Sequence, residues 1–194
     1  MSEKLLVLIG SPRKEGNSAT LAAEAARQAE QLGAVTETVF LHDLNISPCD
    51  GCSQCRRSID AACTIDDDMT PLYDKLRSAS AILIATPIYS YSFTAQTKLL
   101  IDRLYALGSS KGNALSGKRF GFIIVYGGSD PFGSGAATAM RCFHDTFSRK
   151  AGWMRMIHGT ASAVGDAANN VDLLVQAREL GQDLVCGFRS ADEG

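Results

Sequence analysis

Apolar stretches of strand length alternate five times with segments of helical period along this chain of 194 residues. No linker, repeat or low-complexity tract interrupts the alternation. Strands are predicted at 4–9, 35–41, 81–85, 119–126 and 153–158, and helices at about 18–32, from about 67 or 68, at about 94–107 and 136–150, and from about 170. Repeated strand–helix units imply a parallel sheet covered by helices on both faces. We therefore predict one α/β domain over residues 1–194, with the second strand at an edge because its polar and apolar residues alternate.

The composition excludes several classes of function. Hydrophobic residues make up 45% and charged residues 21% of the chain, which is ordinary for a soluble globular protein. A net charge of -2 and a pI near 5.9, without a basic stripe interleaved with aromatic residues, argue against a nucleic-acid partner. The first apolar run, from Leu5, is too short for a signal peptide or a membrane span. We expect a cytoplasmic protein whose partners are small molecules or redox proteins.

Four cysteines are crowded into the segment at about 47–66, with the spacing C-x2-C-x2-C-x7-C: Cys49, Cys52, Cys55 and Cys63. Four thiolates converging from a short loop are a typical ligand set for an iron–sulfur cluster. Zinc is an alternative because it also prefers soft sulfur ligands, although zinc sites usually use two separated C-x2-C pairs. Thiols that hold no metal, either reduced or prone to form disulfides, are the second alternative. The other two cysteines, Cys142 and Cys186, fall on apolar helix faces, and we expect both in the core.

The loop after the first strand, 10–18, is polar and opens directly into a helix. Backbone N–H groups at that helix start, with the Ser11 and Ser18 hydroxyls and the Asn17 amide, are suited to a phosphate monoester. Arg13 adds a charged fork. The alternative is a plain polar turn in which Ser18 caps the helix. The loop does not read G-x-G-x-x-G, so a dinucleotide site of the Rossmann type is disfavoured.

Two more unusual loops follow the third and fourth strands, at the sheet edge where ligands of such folds bind. The turn at 86–93 is rich in aromatic residues and stiffened by proline, and a Gly-Gly pair after the fourth strand permits close approach of a planar ligand. Together the three loops indicate a flavin mononucleotide (FMN) site. Its predicted residues are Ser11, Arg13, Asn17, Ser18, Ala19, Thr86, Pro87, Ile88, Tyr89, Ser90, Tyr126, Gly127 and Gly128.

The sequence resembles the flavodoxin-like NAD(P)H-dependent FMN reductases over almost its whole length, and within them the iron–sulfur flavoproteins. The phosphate motif G-S-x-R-x-x-G-N-S is matched from Gly10 to Ser18. The ring motif P-x-Y is matched at Pro87 and Tyr89, and the following A-Q-x-K-x-x-I-D-R motif is matched by Ala95–Arg103. The cysteine motif is matched by the four clustered cysteines. The resemblance implies a flavodoxin-like three-layer α/β/α sandwich with a five-stranded parallel sheet.

The resemblance also implies an activity. It is that of an FMN-dependent oxidoreductase, in which FMN takes electrons from NAD(P)H or a redox protein and a [4Fe-4S] cluster at the four cysteines acts as a relay. No catalytic side chain is expected, since the flavin carries the chemistry. The alternatives are an NAD(P)H-dependent FMN or quinone reductase without a cluster, and a thiol redox-sensing module. Relatives of this kind are usually dimers or tetramers, so a homodimer or homotetramer is expected.

Overall fold

The computed structural model describes residues 2–57, 62–109, 112–128, 135–147 and 153–187. In chain order, the strands are β1 (Lys4–Ile9), β2 (Val35–Phe40), β3 (Ala81–Tyr89), β4 (Ser92–Phe93), β5 (Gly108–Ser109), β6 (Gly112–Asn113), β7 (Arg119–Tyr126) and β8 (Met154–Thr160). The helices are α1 (Asn17–Gln31), α2 (Met69–Ser78), α3 (Ala95–Arg103), α4 (Ala136–Phe147), α5 (Asp166–Asn169) and α6 (Val171–Cys186), with 3-10 turns at Leu41–Asp43, Gln54–Arg56 and Leu104–Leu107.

The main sheet has the strand order β2-β1-β3-β7-β8, and all four neighbouring pairs are parallel. The chain passes from β1 to β2 on one side and then crosses to β3 on the other side of β1. Strand order therefore reverses between β1 and β3, and a crevice for ligands is expected at the carboxyl ends of these strands. The predicted parallel sheet and the edge position of β2 are confirmed.

Alternation along the strands produces two separate cores, one on each face of the sheet. Leu5 and Val7 belong to the cluster beneath α1 and α6. Leu6 and Leu8 belong to the cluster beneath α2, α3 and α4. Helices therefore cover both faces, which confirms the predicted three-layer α/β/α arrangement.

Several predicted boundaries differ from the structure. Strand β3 runs to Tyr89 instead of residue 85 because its end pairs with β4 in an antiparallel hairpin. The helix predicted at 94–107 divides into α3 and the 3-10 turn Leu104–Leu107. The short helix α5 was not predicted. Helix α4 ends at Phe147, and the rest of the helix predicted at 136–150 lies outside the described residues.

The expectation that Cys142 and Cys186 are core residues is wrong, because both are exposed. The buried positions of α4 are Ala136, Ala137, Met140 and Phe143, a stripe that does not include Cys142. The buried stripe of α6 ends at Leu184, two residues before Cys186. Neither α4 nor α6 is apolar on all sides, and each thiol lies on the solvent-facing side of its amphipathic helix.

None of the helices in the described ranges combines the length and the apolarity that a membrane crossing requires. That residues 1–194 form one domain stays a prediction.

Candidate functional site

A cavity of about 160 Å³ opens at the carboxyl ends of β1, β3, β7 and β8. The cavity is lined by the carboxyl ends of these strands and by the loops that come after them. The lining residues are Ser11, Arg13, Gly16, Asn17, Ser18, Pro87, Ile88, Tyr89, Val125, Tyr126, Gly127, Ala161, Ser162 and Val164. The cavity lies at the reversal of strand order, where the topology places ligands. The three loops singled out in the sequence therefore meet at one cavity.

The predicted residues that do not line this cavity are Ala19, Thr86, Ser90 and Gly128. Ala19 is buried in the first turn of α1, and the Thr86 hydroxyl is turned inward, where it donates to Pro87 O and accepts from Thr94 N. Ser90 is in the hairpin turn, beyond the end of β3. Beside Gly128, a Cβ atom would meet nothing within 4 Å, so space remains open there.

Sequence reasoning missed the contribution of the loop after β8, which supplies Ala161, Ser162 and Val164 to the cavity. The rule that the carboxyl ends of all parallel strands share one edge was sufficient to include it. The Ser162 hydroxyl in this loop donates to Gly127 O, and the hydroxyl of Thr160, the last residue of β8, donates to Gly128 O, each at 3.2 Å. The end of β8 and its loop therefore hold the backbone at the end of β7 in place.

The start of α1 carries unsatisfied hydrogen-bonding groups. Its N-cap is Gly16, which has no side chain to cap the helix, and its first turn has no acidic residue. The alternative in which Ser18 caps the helix is therefore wrong. The Ser18 hydroxyl is buried and has no hydrogen-bond partner among the described residues. Backbone N–H groups in a first helical turn lack intrahelical acceptors, and the helix dipole favours a negative charge there.

Arg13 and Ser11 complete this end of the cavity. The Arg13 side chain is exposed, and within the described ranges its guanidinium makes no ion pair or hydrogen bond. The Ser11 hydroxyl accepts a hydrogen bond from Arg13 N at 3.1 Å, which fixes the turn that presents Arg13. The free Arg13 guanidinium, the unpartnered Ser18 hydroxyl and the free N–H groups of the first helical turn form a donor set suited to an anion.

Asn17 lines the cavity, but its side-chain amide bonds to the protein and is not free for a phosphate. Its amide nitrogen donates to Ala161 O at 3.1 Å and to Ala163 O at 2.7 Å, and its amide oxygen accepts from Ala167 N at 3.1 Å. These bonds tie the first loop to the loop after β8. In this structure only the backbone N–H of Asn17 remains for a ligand.

The β3–β4 hairpin forms the opposite wall of the cavity. Ser90 and Tyr91 at its turn have positive φ values of 48° and 66°, and Tyr91 is 82% exposed. At the base of the hairpin, the Thr94 hydroxyl donates to Gly10 O at 2.7 Å. A Cβ atom on Gly10 would lie 1.9 Å from Thr97 Oγ1, so glycine at this position lets the first loop approach the start of α3 closely.

Tyr126 occupies the far side of the cavity, at the end of β7. Its hydroxyl lies 3.4 Å from His158 Nδ1 on the neighbouring strand β8. The two rings are tilted at 33° with centroids 6.3 Å apart. This contact holds the phenol ring beside the Gly127 turn.

The four clustered cysteines are free thiols, with Cys49 and Cys52 exposed and Cys55 and Cys63 partly buried. Within the part of the chain that the structure describes, no three His, Cys, Asp or Glu side chains are placed to hold a metal. Residues 58–61, between Cys55 and Cys63, lie outside the described ranges. Burial, followed by the neighbouring thiols of Cys63 and Cys52, raises the pKa of the Cys55 thiol. The charge of Arg56 acts in the opposite direction but does not outweigh these effects, so this sulfur is more difficult to ionise than an ordinary cysteine.

The sequence is similar to those of known flavoproteins. The family model for NADPH-dependent FMN reductase matches residues 3–166. An iron–sulfur flavoprotein of Methanosarcina thermophila is 36% identical over 163 residues, which cover 84% of this chain and 78% of that protein. An iron–sulfur flavoprotein of Methanocaldococcus jannaschii is 31% identical over 196 residues, which cover 92% of this chain and 94% of that protein.

Two solved structures support the fold alone, because their sequence identities are low. The NAD(P)H:quinone oxidoreductase from Methanothermobacter marburgensis has a TM-score of 0.75 at 17% identity, covering 95% of this chain and 98% of that chain. An archaeal flavodoxin has a TM-score of 0.58 at 13% identity, covering 94% and 96%. The fold is flavodoxin-like, and this chain belongs to the NADPH-dependent FMN reductase family of oxidoreductases, as a relative of the iron–sulfur flavoproteins.

Proposed function

We propose that this protein is an oxidoreductase that binds FMN in the cavity at the carboxyl ends of β1, β3, β7 and β8. The observation that carries the proposal is the buried, unpartnered hydroxyl of Ser18 at the uncapped start of α1, beside the free guanidinium of Arg13. A buried hydroxyl without a partner is costly, and a ligand oxygen would remove that cost. The residues present therefore fit a phosphate group.

In this proposal the phosphate is held by the first turn of α1. The backbone N–H groups of Asn17, Ser18 and Ala19 and the Ser18 hydroxyl are the neutral donors, and Arg13 supplies the charge. Asn17 also contributes indirectly, because its amide bonds hold the loop after β8 against this turn.

The flavin ring is assigned to the space between the β3–β4 hairpin and the end of β7. Pro87, Ile88 and Tyr89 line one wall, while Tyr126 and Gly127 line another. Ser90 lies in the hairpin turn, and the open space beside Gly128 leaves room for a planar group next to the backbone. The mixture of apolar surfaces and a few polar groups is typical of cofactor sites.

Bound FMN would supply the redox chemistry, by accepting a hydride from NAD(P)H, or electrons from a redox protein, and passing the electrons to an acceptor. Of the described residues that line the cavity, Arg13 alone carries a charge. The chain therefore contributes binding and orientation of the cofactor, and no acid or base of the protein is required in the proposal. Small molecules and redox proteins are its proposed donors and acceptors.

Fluorescence titration of FMN against an Arg13→Ala variant tests the site. Loss of a hydrogen bond to a charged group is expected to cost about 1.5–3 kcal/mol, a weakening of about 10- to 150-fold. The matched control is Lys14→Ala, since Lys14 is the next cation along, does not line the cavity, and pairs with Asp43 at the surface. Unchanged affinity in Arg13→Ala, or equal losses in both variants, would contradict the assignment.

For the cysteine loop we propose a [4Fe-4S] cluster held by Cys49, Cys52, Cys55 and Cys63, serving as a one-electron relay. The support is the donor set, four free sulfur ligands within one short loop, and the similarity to proteins named iron–sulfur flavoproteins. Ligation requires thiolates, so each of the four cysteines would lose its proton when it binds the metal.

Anaerobic reconstitution, followed by iron, sulfide and zinc analysis per chain, tests the cluster. The wild type is expected to take up about four iron atoms and to show an electron paramagnetic resonance signal after reduction. Cys55→Ser is expected to lose most of this iron, whereas Cys142→Ser, which changes an exposed thiol on α4, is expected to retain it. A wild type without iron, or a Cys55→Ser variant that matches it, would favour an FMN or quinone reductase without a cluster.

A further inference from the structure

Arg103, the last residue of α3, is completely buried together with Asp67. The Arg103 side chain is 0% exposed and the Asp67 side chain 4% exposed. Their contact is bidentate, with Nη1 donating to Oδ2 at 2.6 Å and Nη2 donating to Oδ1 at 3.1 Å. Buried ion pairs gain little net stability because both charges lose their hydration. This pair therefore calls for a role other than holding the core together.

The other hydrogen bonds of the pair join the two ends of the cysteine loop. Arg103 Nη1 donates to Ser47 O at 2.9 Å, and Nη2 donates to Ile65 O at 3.2 Å. Asp67 Oδ2 accepts from Ser47 N at 2.8 Å. Ser47 lies two residues before Cys49, and Ile65 lies two residues after Cys63. One guanidinium and its carboxylate thus close the loop at its base.

A second contact holds the middle of the loop against the segment that follows α3. The guanidinium carbon of Arg56, the residue after Cys55, lies 4.5 Å from the ring centroid of Tyr105. A Cβ atom on Gly108 would lie 1.9 Å from Arg56 Nη1, so glycine provides the space that this side chain occupies. The loop is therefore held at both ends and near Cys55 by residues 103–108.

Arg103 and Asp67, which join the two ends of the cysteine loop, both keep their charges. Burial acts to raise the pKa of Asp67, but hydrogen bonds from Arg103 and from the Ser47 and Met69 backbones hold it below its ordinary value. Burial acts to lower the pKa of Arg103, but the hydrogen bond to Asp67 holds it above its ordinary value. Both groups therefore remain charged around neutral pH.

We propose that Arg103 and Asp67 are positioning residues that hold the two ends of the cysteine loop ready for metal ligation. The inference rests on the proposed [4Fe-4S] site. Closing a loop and ordering its residues both cost conformational entropy. With Ser47 and Ile65 already joined, the entropy cost of bringing the loop ends together is not added to the cost of bringing the four thiols together. The positioning pair touches no ligand atom and acts through the backbone on either side of the cysteines.

The test uses Arg103→Lys, with Asp102→Asn as the matched control. Lysine keeps the charge but cannot reproduce the planar fork that reaches Ser47, Ile65 and Asp67 together. Asp102 is the adjacent residue; its side chain is 42% exposed and pairs with Lys98 at the surface, at 2.6 Å. After anaerobic reconstitution, Arg103→Lys is expected to hold at least about fivefold less iron per chain, while its FMN affinity stays within about twofold of the wild type. Asp102→Asn is expected to match the wild type in both measurements.

Iron uptake equal to the wild type in Arg103→Lys would overturn the proposal. Parallel loss of iron and FMN in a folded Arg103→Lys protein would also overturn it, because that result shows that the pair does not act on the cysteine loop alone. If Arg103→Lys does not fold, Asp67→Glu, which keeps the charge and shifts the carboxylate by one methylene, is judged by the same criteria.

Amide hydrogen exchange on the cluster-free protein separates this proposal from the proposed function. Exchange at 45–47 and 65–67 is expected to accelerate in Arg103→Lys and to stay unchanged in Asp102→Asn. If the wild type takes up no iron, the cluster proposal fails. Accelerated exchange in Arg103→Lys would still show that Arg103 and Asp67 hold the two loop ends together. Unchanged exchange in Arg103→Lys would overturn the positioning role of Arg103 and Asp67, whatever the iron content.

Discussion

Asp67 shows how one carboxylate organises a loop. Its two oxygens accept four hydrogen bonds, from Arg103 Nη1 and Nη2 and from the backbone N–H groups of Ser47 and Met69. Donors to the charged form lower a carboxyl pKa, and here they outweigh the opposite effect of burial. The same residue therefore joins the cysteine loop, α2 and α3.

The lowered pKa of Asp67 predicts how its contribution changes with pH. In the unfolded chain an aspartate binds protons near its ordinary pKa of about 3.9, so around that pH the unfolded state binds more protons than the folded state. The contribution of Asp67 to stability is then fully present above about pH 5 and is lost as pH falls through its lower folded pKa. Asp67→Asn is expected to cost about 3–5 kcal/mol at pH 7, since it leaves the buried Arg103 charge unpaired.

Urea unfolding of the wild type and Asp67→Asn at pH 7, 5 and 3.5 measures this effect. The difference in unfolding free energy between the two proteins is expected to shrink toward pH 3.5. Asp102→Asn, at an exposed pair, is expected to change stability by less than about 1 kcal/mol throughout. A difference for Asp67→Asn that grows on acidification would contradict the prediction.

How well the sequence predicted a residue's contacts depends on whether its hydrogen-bonding partners are near it in the chain. Ser11, Arg13 and Ser18 were predictable because a loop that opens into a helix is itself a donor set. The amide bonds of Asn17 were not, because they join it to Ala161, 144 residues away. The burial of Arg103 was hidden for the same reason, since a cation at the end of a helix is ordinarily expected at the surface and its partner Asp67 lies 36 residues earlier.

At the scale of elements, hydrophobic periodicity was sufficient for the sheet and its main helices but not for their ends. Strands β1 and β7 begin and end as predicted, since both are continuous buried runs. Strand β3 is longer because antiparallel pairing with β4 stabilises its last residues, and that pairing depends on a turn with two positive φ values at non-glycine residues. Such turns are difficult to predict because Ser and Tyr rarely adopt this conformation.

Helix α3 connects the two candidate sites. Its N-cap Thr94 accepts a hydrogen bond from Thr97 N and donates one to Gly10 O, beside the loop assigned to phosphate. Its last residue, Arg103, holds the base of the cysteine loop. A helix of nine residues thus contacts the cavity wall at one end and the base of the cysteine loop at the other.

At the scale of the whole molecule, exposed side chains are grouped around the mouth of the cavity. Tyr89 is 44% exposed, Tyr91 82% and Val164 62%, and both Tyr89 and Val164 also line the cavity. Grouped exposed apolar side chains of this kind mark interaction surfaces. A second copy of the chain covering them would remove apolar area from water and enclose the proposed flavin site.

We therefore predict a homodimer or homotetramer in solution. Light scattering is expected to give a mass at least about twice the 20.7 kDa of one chain. Tyr91→Asn is expected to shift the mass toward the monomer, because asparagine tolerates the left-handed backbone at this position and replaces the aromatic ring with a small polar amide. Val35→Asn is the control, since Val35 is 56% exposed but lies at the amino end of β2, at the opposite edge of the sheet from the cavity. A wild-type mass of one chain at working concentration would contradict the assembly, and equal shifts in both variants would contradict the role of the hairpin.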